Sequence, residues 1–363
     1  MVSAFASAQV PDLMNALDAG GRAMGVGGST QATDSNTLSS FYNPAGLAYI
    51  TGPTLSAAFR NIPQSDNIVS GKFKTPDFNT SRGVGPRKLT HFGFATPIKG
   101  GVVALSYTMG GAVKDFRFGN NLTDGALSIR NYTEVFQTQT DFFTLAYGKR
   151  SGTSNFGFGL VLANQYLSDQ ASWDTFDANN TQIGTTVVSN SGNSSGVGAI
   201  AGIQFQSGKN GNSMVGISVR TPIKLSNNSQ TNPYLNKVPG RASIGMATRT
   251  EPIGQGKDFL VYGAQLDYFF GSDKGGSLAR KDVLGGGVGL EYNLHRNNAR
   301  IPIRVGYAVV PKGSDQTLNR NTFTFGLGYR PEDSNYSVDF NFGMPSGGGG
   351  LDLGVGLTYK LGK

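Results

Sequence analysis

Two histidines, His91 and His295, are the only imidazoles among the 363 residues, and there is no cysteine. Thiol catalysis, cysteine-based zinc sites, iron–sulfur clusters and disulfide frameworks are therefore excluded. The histidines stand far apart without ligand-like spacing, so neither a metal centre nor a Ser–His site is expected. The chain reads as a non-enzyme without a cofactor. Gly25-Val26-Gly27-Gly28 and Gly285-Gly286-Gly287-Val288-Gly289 superficially resemble phosphate-cradling loops, but neither lies between a strand and a helix as such a loop must. Asp169, Asp174 and Asp177 offer oxygens to calcium or to the cations that bridge lipopolysaccharide, at a spacing unlike an EF-hand. What remains is a set of charges inside alternating segments: Arg220, Arg304, Asp267, Asp339 and Glu291. An arginine on an enclosed face can grip a ligand carboxylate with its two-pronged guanidinium. The same arginine can equally pair with an acid across the interior.

The elements that carry these residues have a period of two. Leu260, Tyr262, Ala264, Leu266 and Tyr268 alternate with Val261, Gly263, Gln265 and Asp267, and Leu351 to Tyr359 alternates with Asp352, Gly354, Gly356 and Thr358. Such segments have one apolar and one polar or glycine face. Fourteen are marked, at 53–60, 88–97, 101–118, 132–149, 154–168, 195–206, 213–224, 238–250, 257–270, 282–294, 299–310, 320–330, 335–343 and 351–361. Several reach the roughly 10 residues that a tilted strand needs to cross a bilayer. Aromatic residues stand at the ends of the apolar face (Tyr147, Phe269, Tyr292, Tyr329, Tyr359), where a membrane-interface girdle belongs. Connections alternate between short turns and longer polar loops, notably 61–87 and 169–194. An all-β, 14-stranded antiparallel transmembrane β-barrel is expected, with both termini in the periplasm. Two packed layers hiding the large apolar groups between them would overturn it.

Composition agrees. Glycine supplies 53 of 363 residues, against a usual share of roughly 7%. It falls on the inward phase, as at Gly157, Gly216, Gly287, Gly306 and Gly326. Glycine weakens a strand unless something must approach closely, so a filled lumen is expected. No run of 18 or more apolar residues offers a helical span. The net charge of +8 is scattered, much of it near strand ends (Lys149, Arg150, Arg296, Arg300, Arg330, Lys360), which suits lipid headgroups and lipopolysaccharide phosphates rather than nucleic acid.

The N-terminus differs in kind. Ala6-Ser7-Ala8 reads as the cleavage site of a signal-peptide remnant over 1–8. Val10 to Ala19 suits a short helix with Pro11 at its start and Gly20-Gly21 as its stop. Residues 9–52 nowhere alternate and are rich in small side chains, so they are expected to fold inside the barrel of 53–363 as a hatch.

The run G-R-A-M-G-V-G-G (21–28) followed by D-S-N-T-L-S-S-F-Y-N-P-A-G-L-A (34–48) resembles the N-terminal hatch of the FadL-type outer-membrane transport proteins, a superfamily that includes PorV-like barrels. The chain departs from the usual terminal aromatic by ending Tyr359-Lys360-Leu361-Gly362-Lys363. The resemblance implies passive uptake of hydrophobic small molecules such as long-chain fatty acids or hydrocarbons in the bacterial outer membrane. It places Asn43, Pro44, Ala45 and Gly46 in the hatch motif. It also implies lateral exit where the third strand kinks. Gly110 and Gly111 are the residues of that strand suited to a bulge or broken pairing. Arg220 and Arg304 are then candidates for lumenal ligand contact. The alternative within the superfamily is a docking or shuttle barrel whose partner is a secretion-system protein. A hydrophobic ligand and the lipid bilayer with its lipopolysaccharide are the partners expected of a transporter.

Overall fold

Side chains that alternate between two surroundings can only be satisfied by a sheet with two different faces. A computed structural model describes residues 20–33, 36–61, 78–81, 87–119, 122–124, 126–208, 211–227, 237–253, 256–271, 282–309, 321–345 and 351–362. Fourteen long strands follow one another in antiparallel pairs: β1 (Thr54–Asn61), β2 (Arg87–Ile98), β3 (Gly101–Gly119), β4 (Leu127–Ser151), β5 (Ser154–Phe176), β6 (Gln182–Ser207), β7 (Ser213–Arg220), β8 (Gly240–Arg249), β9 (Phe259–Phe270), β10 (Val283–Arg296), β11 (Ala299–Val309), β12 (Thr322–Pro331), β13 (Tyr336–Pro345) and β14 (Asp352–Lys360). β14 pairs back onto β1, from Thr54↔Lys360 to Asn61↔Leu353, and closes the barrel.

The apolar phase faces out. Leu105 is 61% exposed and Phe158 63%, and Leu145, Leu160, Leu266, Phe340 and Leu357 are exposed likewise. So continuous an apolar exterior is stable only against lipid. Tyr147, Tyr329, Tyr336 and Tyr359 ring the end that carries the short turns, and the Tyr147 hydroxyl donates to the Gly100 carbonyl 2.8 Å away. Phe269 departs from the expected girdle. It lies on the phase opposite Tyr268 and packs against buried lumenal residues.

Turn chemistry explains the short end. Asn297 and Asn298 both take positive φ, 48° and 56°, as a two-residue hairpin turn that matches strand twist requires. Gly100 and Gly152 take φ of 95° and 60° in the neighbouring turns. By the usual asymmetry of such barrels this end is periplasmic.

The opposite end corrects the reading of 169–194 as a loop. β4, β5 and β6 have 25, 23 and 26 residues, and only 177–181 turns between β5 and β6. The Asp177 carboxylate accepts from the Asn179 and Thr181 amides at 2.9 and 2.8 Å and holds that turn. Strands of this length rise well beyond the roughly 10 residues that span a bilayer. Trp173, Tyr132 and Ile129 form a small buried core in this outer sheet. Of the acids read as calcium candidates, the side chain of Asp169 lies outside those described, and Asp174 and Asp177 hold this outer sheet together. The Asp174 carboxylate accepts from the Thr185 hydroxyl at 2.6 Å and from the Asn131 amide at 2.8 Å, and these bonds, Thr185 first, hold its carboxyl below the usual carboxylate range. Asp177 thus has its carboxylate turned to its own turn, and Asp174 to β6 and to Asn131 on β4.

The lumen holds the N-terminal segment. Residues 20–33 and 36–50 are mostly buried, with short helices at Gly21–Gly25 and Ser39–Tyr42 and a 3-10 turn at Pro44–Tyr49. The expected helix over Val10 to Ala19, the signal remnant at 1–8, Asp34 and Ser35 lie outside the described residues. Inward glycines make the room. A Cβ on Gly287 would run into the Gly27 carbonyl, and one on Gly157 into the backbone of Pro44 and Ala45. We expect Gly287→Val to leave the barrel assembled but its lumenal segment unseated. Trypsin should then cut after Arg22 about tenfold faster or more, the ratio that follows from about 1.4 kcal/mol of lost docking. Cleavage as slow as in the parent protein would show that this contact does not seat the segment.

Candidate functional site

Inward side chains of β4, β5 and β6 (Phe142, Val161, Ala163 and Ile200) meet Phe41 and Tyr42 of the N-terminal segment in one buried apolar cluster. Ala23 and Leu38 of the same segment belong to it too, and its other members come from the outer loop after β7. β7 was expected to run to residue 224 but stops at Arg220, before Pro222. The chain then turns into the barrel, where Ile223–Lys224 pairs with Lys237–Val238. Ile223, Leu225 and Val238 are buried against the cluster. The turn is pinned to β6 by reciprocal bonds between Thr221 and the Ala199 backbone at 2.9 and 3.0 Å.

Arg220 sits beside this cluster. Its guanidinium carbon lies 5.0 Å from the Phe41 ring centre and 5.2 Å from that of Phe142, within cation–π range. Nη2 also donates to the Pro239 carbonyl at 3.5 Å. Neighbouring Arg241 lies 5.1 Å from the Tyr42 ring and pairs with Asp267 at 2.9 Å. Asp267 further accepts from the Ser243 hydroxyl at 2.5 Å. The cluster thus offers an apolar interior with two guanidinium groups at its edge, of which that of Arg241 is paired with Asp267.

Beside it, the described pairing along one edge of β3 stops part-way and is next seen at Ser81↔Phe116. The β2–β3 ladder runs from Ile98↔Gly101 to His91↔Thr108 and ends there. On the other side of β3, Met109 pairs with Asp141 and Gly111 with Thr140, so Gly110 is one extra residue. An extra residue bends a strand and adds local twist. Among the described residues, Met109 to Asp115 have ladder partners only on β4. Phe142 pairs with Thr108, which puts the apolar cluster level with the interruption.

His91, at the last β2–β3 pair, joins wall to N-terminal segment. Its Nε2 is 2.8 Å from the Thr37 hydroxyl and its Nδ1 3.1 Å from that of Thr108. Ser40 and Ser106 share a hydroxyl–hydroxyl bond of 2.6 Å nearby. No short-range pattern marked His91. Its inward phase, opposite Phe92, was the one available signal.

On the far wall the segment is held by charge. Arg22 Nε is 2.9 Å from Glu291 Oε2, and Arg304 Nε is 2.6 Å from the same oxygen. Arg304 Nη1 lies 2.7 Å from Asp339, and Arg330 3.7 Å from it. Arg304 is fully buried, so this candidate ligand contact has two carboxylates on it and stands apart from Arg220 and the apolar cluster. Arg60 and Asp352 form a further buried pair across the barrel seam.

Asn43 to Gly46 lie together at the inner face of β4 to β7. Asn43 Oδ1 accepts from the Ala45 amide at 3.2 Å and caps the 3-10 turn that Pro44 begins. Asn43 Nδ2 donates to the carbonyls of Gln31, Ile203 and Ile217 at 3.1, 3.4 and 3.5 Å. Ala45 and Gly46 are buried in the turn.

These features define a transmembrane β-barrel whose lumen holds its own N-terminal segment, with an apolar interior level with the end of the described β2–β3 pairing. The chain has the FadL-type outer-membrane transporter fold. Among solved structures it is similar to the Ralstonia pickettii toluene transporter TbuX at 12% identity, over 94% of this chain and 97% of that one, with a TM-score of 0.63. It is similar to the Pseudomonas putida toluene transporter TodX at 12% identity over 97% and 99%, with a TM-score of 0.61. A Pseudomonas aeruginosa FadL homologue gives 14% identity over 93% and 97% and a TM-score of 0.59. No family model matches the sequence. No curated protein matches it either.

Proposed function

We propose that the protein lies in the bacterial outer membrane and carries hydrophobic small molecules, hydrocarbons or long-chain fatty acids, inward without energy input. The ligand enters from the outer loops, lodges among Phe41, Phe142, Ile200 and Ile223, and leaves sideways between β2 and β3. Residues 20–50 act as the hatch that blocks a straight path into the periplasm. One observation carries the reading: among the described residues, the β2–β3 ladder ends beside a bulged Gly110 at the height of Phe142. A lateral exit suits an apolar cargo, because it passes from an apolar lumen to hydrocarbon without crossing water. Two of the structural relatives named above are toluene transporters, and this supports the same class of cargo.

Uptake by intact cells is the test, since the lipopolysaccharide leaflet is the barrier the protein would bypass. Cells lacking their own transporters of this kind, and expressing this chain, should take up labelled toluene or labelled palmitate faster than vector-only cells, with labelled glucose entry unchanged. Equal rates for both hydrophobic compounds with and without the chain would refute the proposal.

A further inference from the structure

A cavity of about 620 Å³ lies at the periplasmic mouth, on the side of the N-terminal segment away from the apolar cluster. It is bounded by Thr33, Tyr49 and Ile50 of that segment and by the inner ends of β7 to β14. Five cations line it, Arg22, Arg249, Arg300, Arg330 and Lys360, against three acids, Glu291, Glu332 and Asp339. The acids are engaged: Glu291 by Arg22 and Arg304, Asp339 by Arg304 and Arg330, and Glu332 by His295 Nε2 at 2.8 Å.

Arg249 and Arg300 share a further feature, although Arg300 also acts on the Glu332 carboxylate. Both stack on one ring, their guanidinium carbons 3.7 and 5.2 Å from the centre of Phe259. Phe259 is only 5% exposed, so the platform is fixed at the start of β9. Stacking uses the flat face of a guanidinium and leaves its edge N–H donors free to point elsewhere. That is the geometry in which arginine receives a planar or tetrahedral oxyanion.

We propose that Arg249 and Arg300, held on Phe259, form a binding site for an oxyanion, a carboxylate or phosphate group of a small molecule reaching the vestibule from the periplasm. The surplus of cations draws the anion in, and the two forks hold it. The site is separate from the apolar cluster and does not depend on hydrophobic uptake.

Calorimetric titration of the full-length protein in detergent, with inorganic phosphate and with hexanoate as probes, tests this. At least one probe should bind the parent protein, and the better one identifies the group. Arg249→Gln combined with Arg300→Gln should weaken that binding about tenfold or more, as loss of charge-assisted bonds does. Phe259→Leu keeps both charges but removes the platform, and should weaken it severalfold. It also supplies the reading if the double variant fails to assemble. No binding of either probe to the parent protein, or unchanged affinity in whichever of the two variants assembles, overturns the proposal.

Discussion

Deleting Gly110 should abolish hydrophobic uptake and leave the barrel intact. The ladder shows why one residue suffices. Met109 pairs with Asp141 and Gly111 with Thr140, so removing Gly110 makes consecutive residues face consecutive partners and disturbs no other β3–β4 pair. The bend that a bulge imposes then disappears. A straightened β3 would extend its ladder past Thr108↔His91, with Met109 reaching Thr90 and the next residue Leu89. The wall would close where the lateral exit is proposed. Uptake of labelled toluene or palmitate should fall to that of vector-only cells, while the deletion protein still runs as a folded, heat-modifiable barrel. A folded deletion protein that transports at the parent rate would eliminate this exit, whatever else the barrel does.

The fourteen strands were legible because membrane barrels read their two faces in different solvents. Outward Leu105, Leu145 and Phe158 against inward Ser106, Ala146 and Gly157 leave a contrast that a single sequence displays. The outer halves of β5 and β6 lack that contrast. Thr185 to Ser191 sets its two apolar residues, Val187 and Val188, side by side rather than in alternation, so it reads as loop although it pairs residue for residue with Ser168 to Asp174. The loop after β7 misled for a related reason. Ile223, Leu225 and Val238 continue an apolar alternation, yet they serve the lumen, and only Pro222 and Pro239 mark the break. Local chemistry was visible where it is local, as in the turn that Asn43 and Pro44 begin and the glycines at the β3 bulge. Arg22 and Glu291 stand 269 positions apart, and Thr37 and His91 54 apart. Nothing in the neighbourhood of either residue announces its partner.

Those two attachments are unequal, and the inequality bears on how the lumenal segment could move. Toward β2 and β3 it is held by neutral hydroxyl and imidazole bonds at Thr37 and Ser40, each worth about 0.5–1.5 kcal/mol net. Toward β10 it is held by Glu291, which accepts from Arg22, Arg304 and, through Oε1 at 3.0 Å, the Asn293 amide. Glu291→Gln keeps the shape and removes the charge, leaving Arg22, Arg304 and Arg330 with Asp339 as the remaining acid of the group. Stripping one partner from a buried pair costs about 3–5 kcal/mol, because the cations stay buried without compensation. The expected result is a segment released at its N-terminal end. Trypsin should cut after Arg22 in the assembled barrel, and small sugars should leak through it in a liposome-swelling assay. Adding Arg304→Met removes one of the stranded cations and should recover most of the loss, since neutral packing in place of a buried pair is often tolerated. If the double variant leaks as much as Glu291→Gln alone, charge is not what anchors the segment to β10, and shape at Gly287 and its neighbours must do so instead.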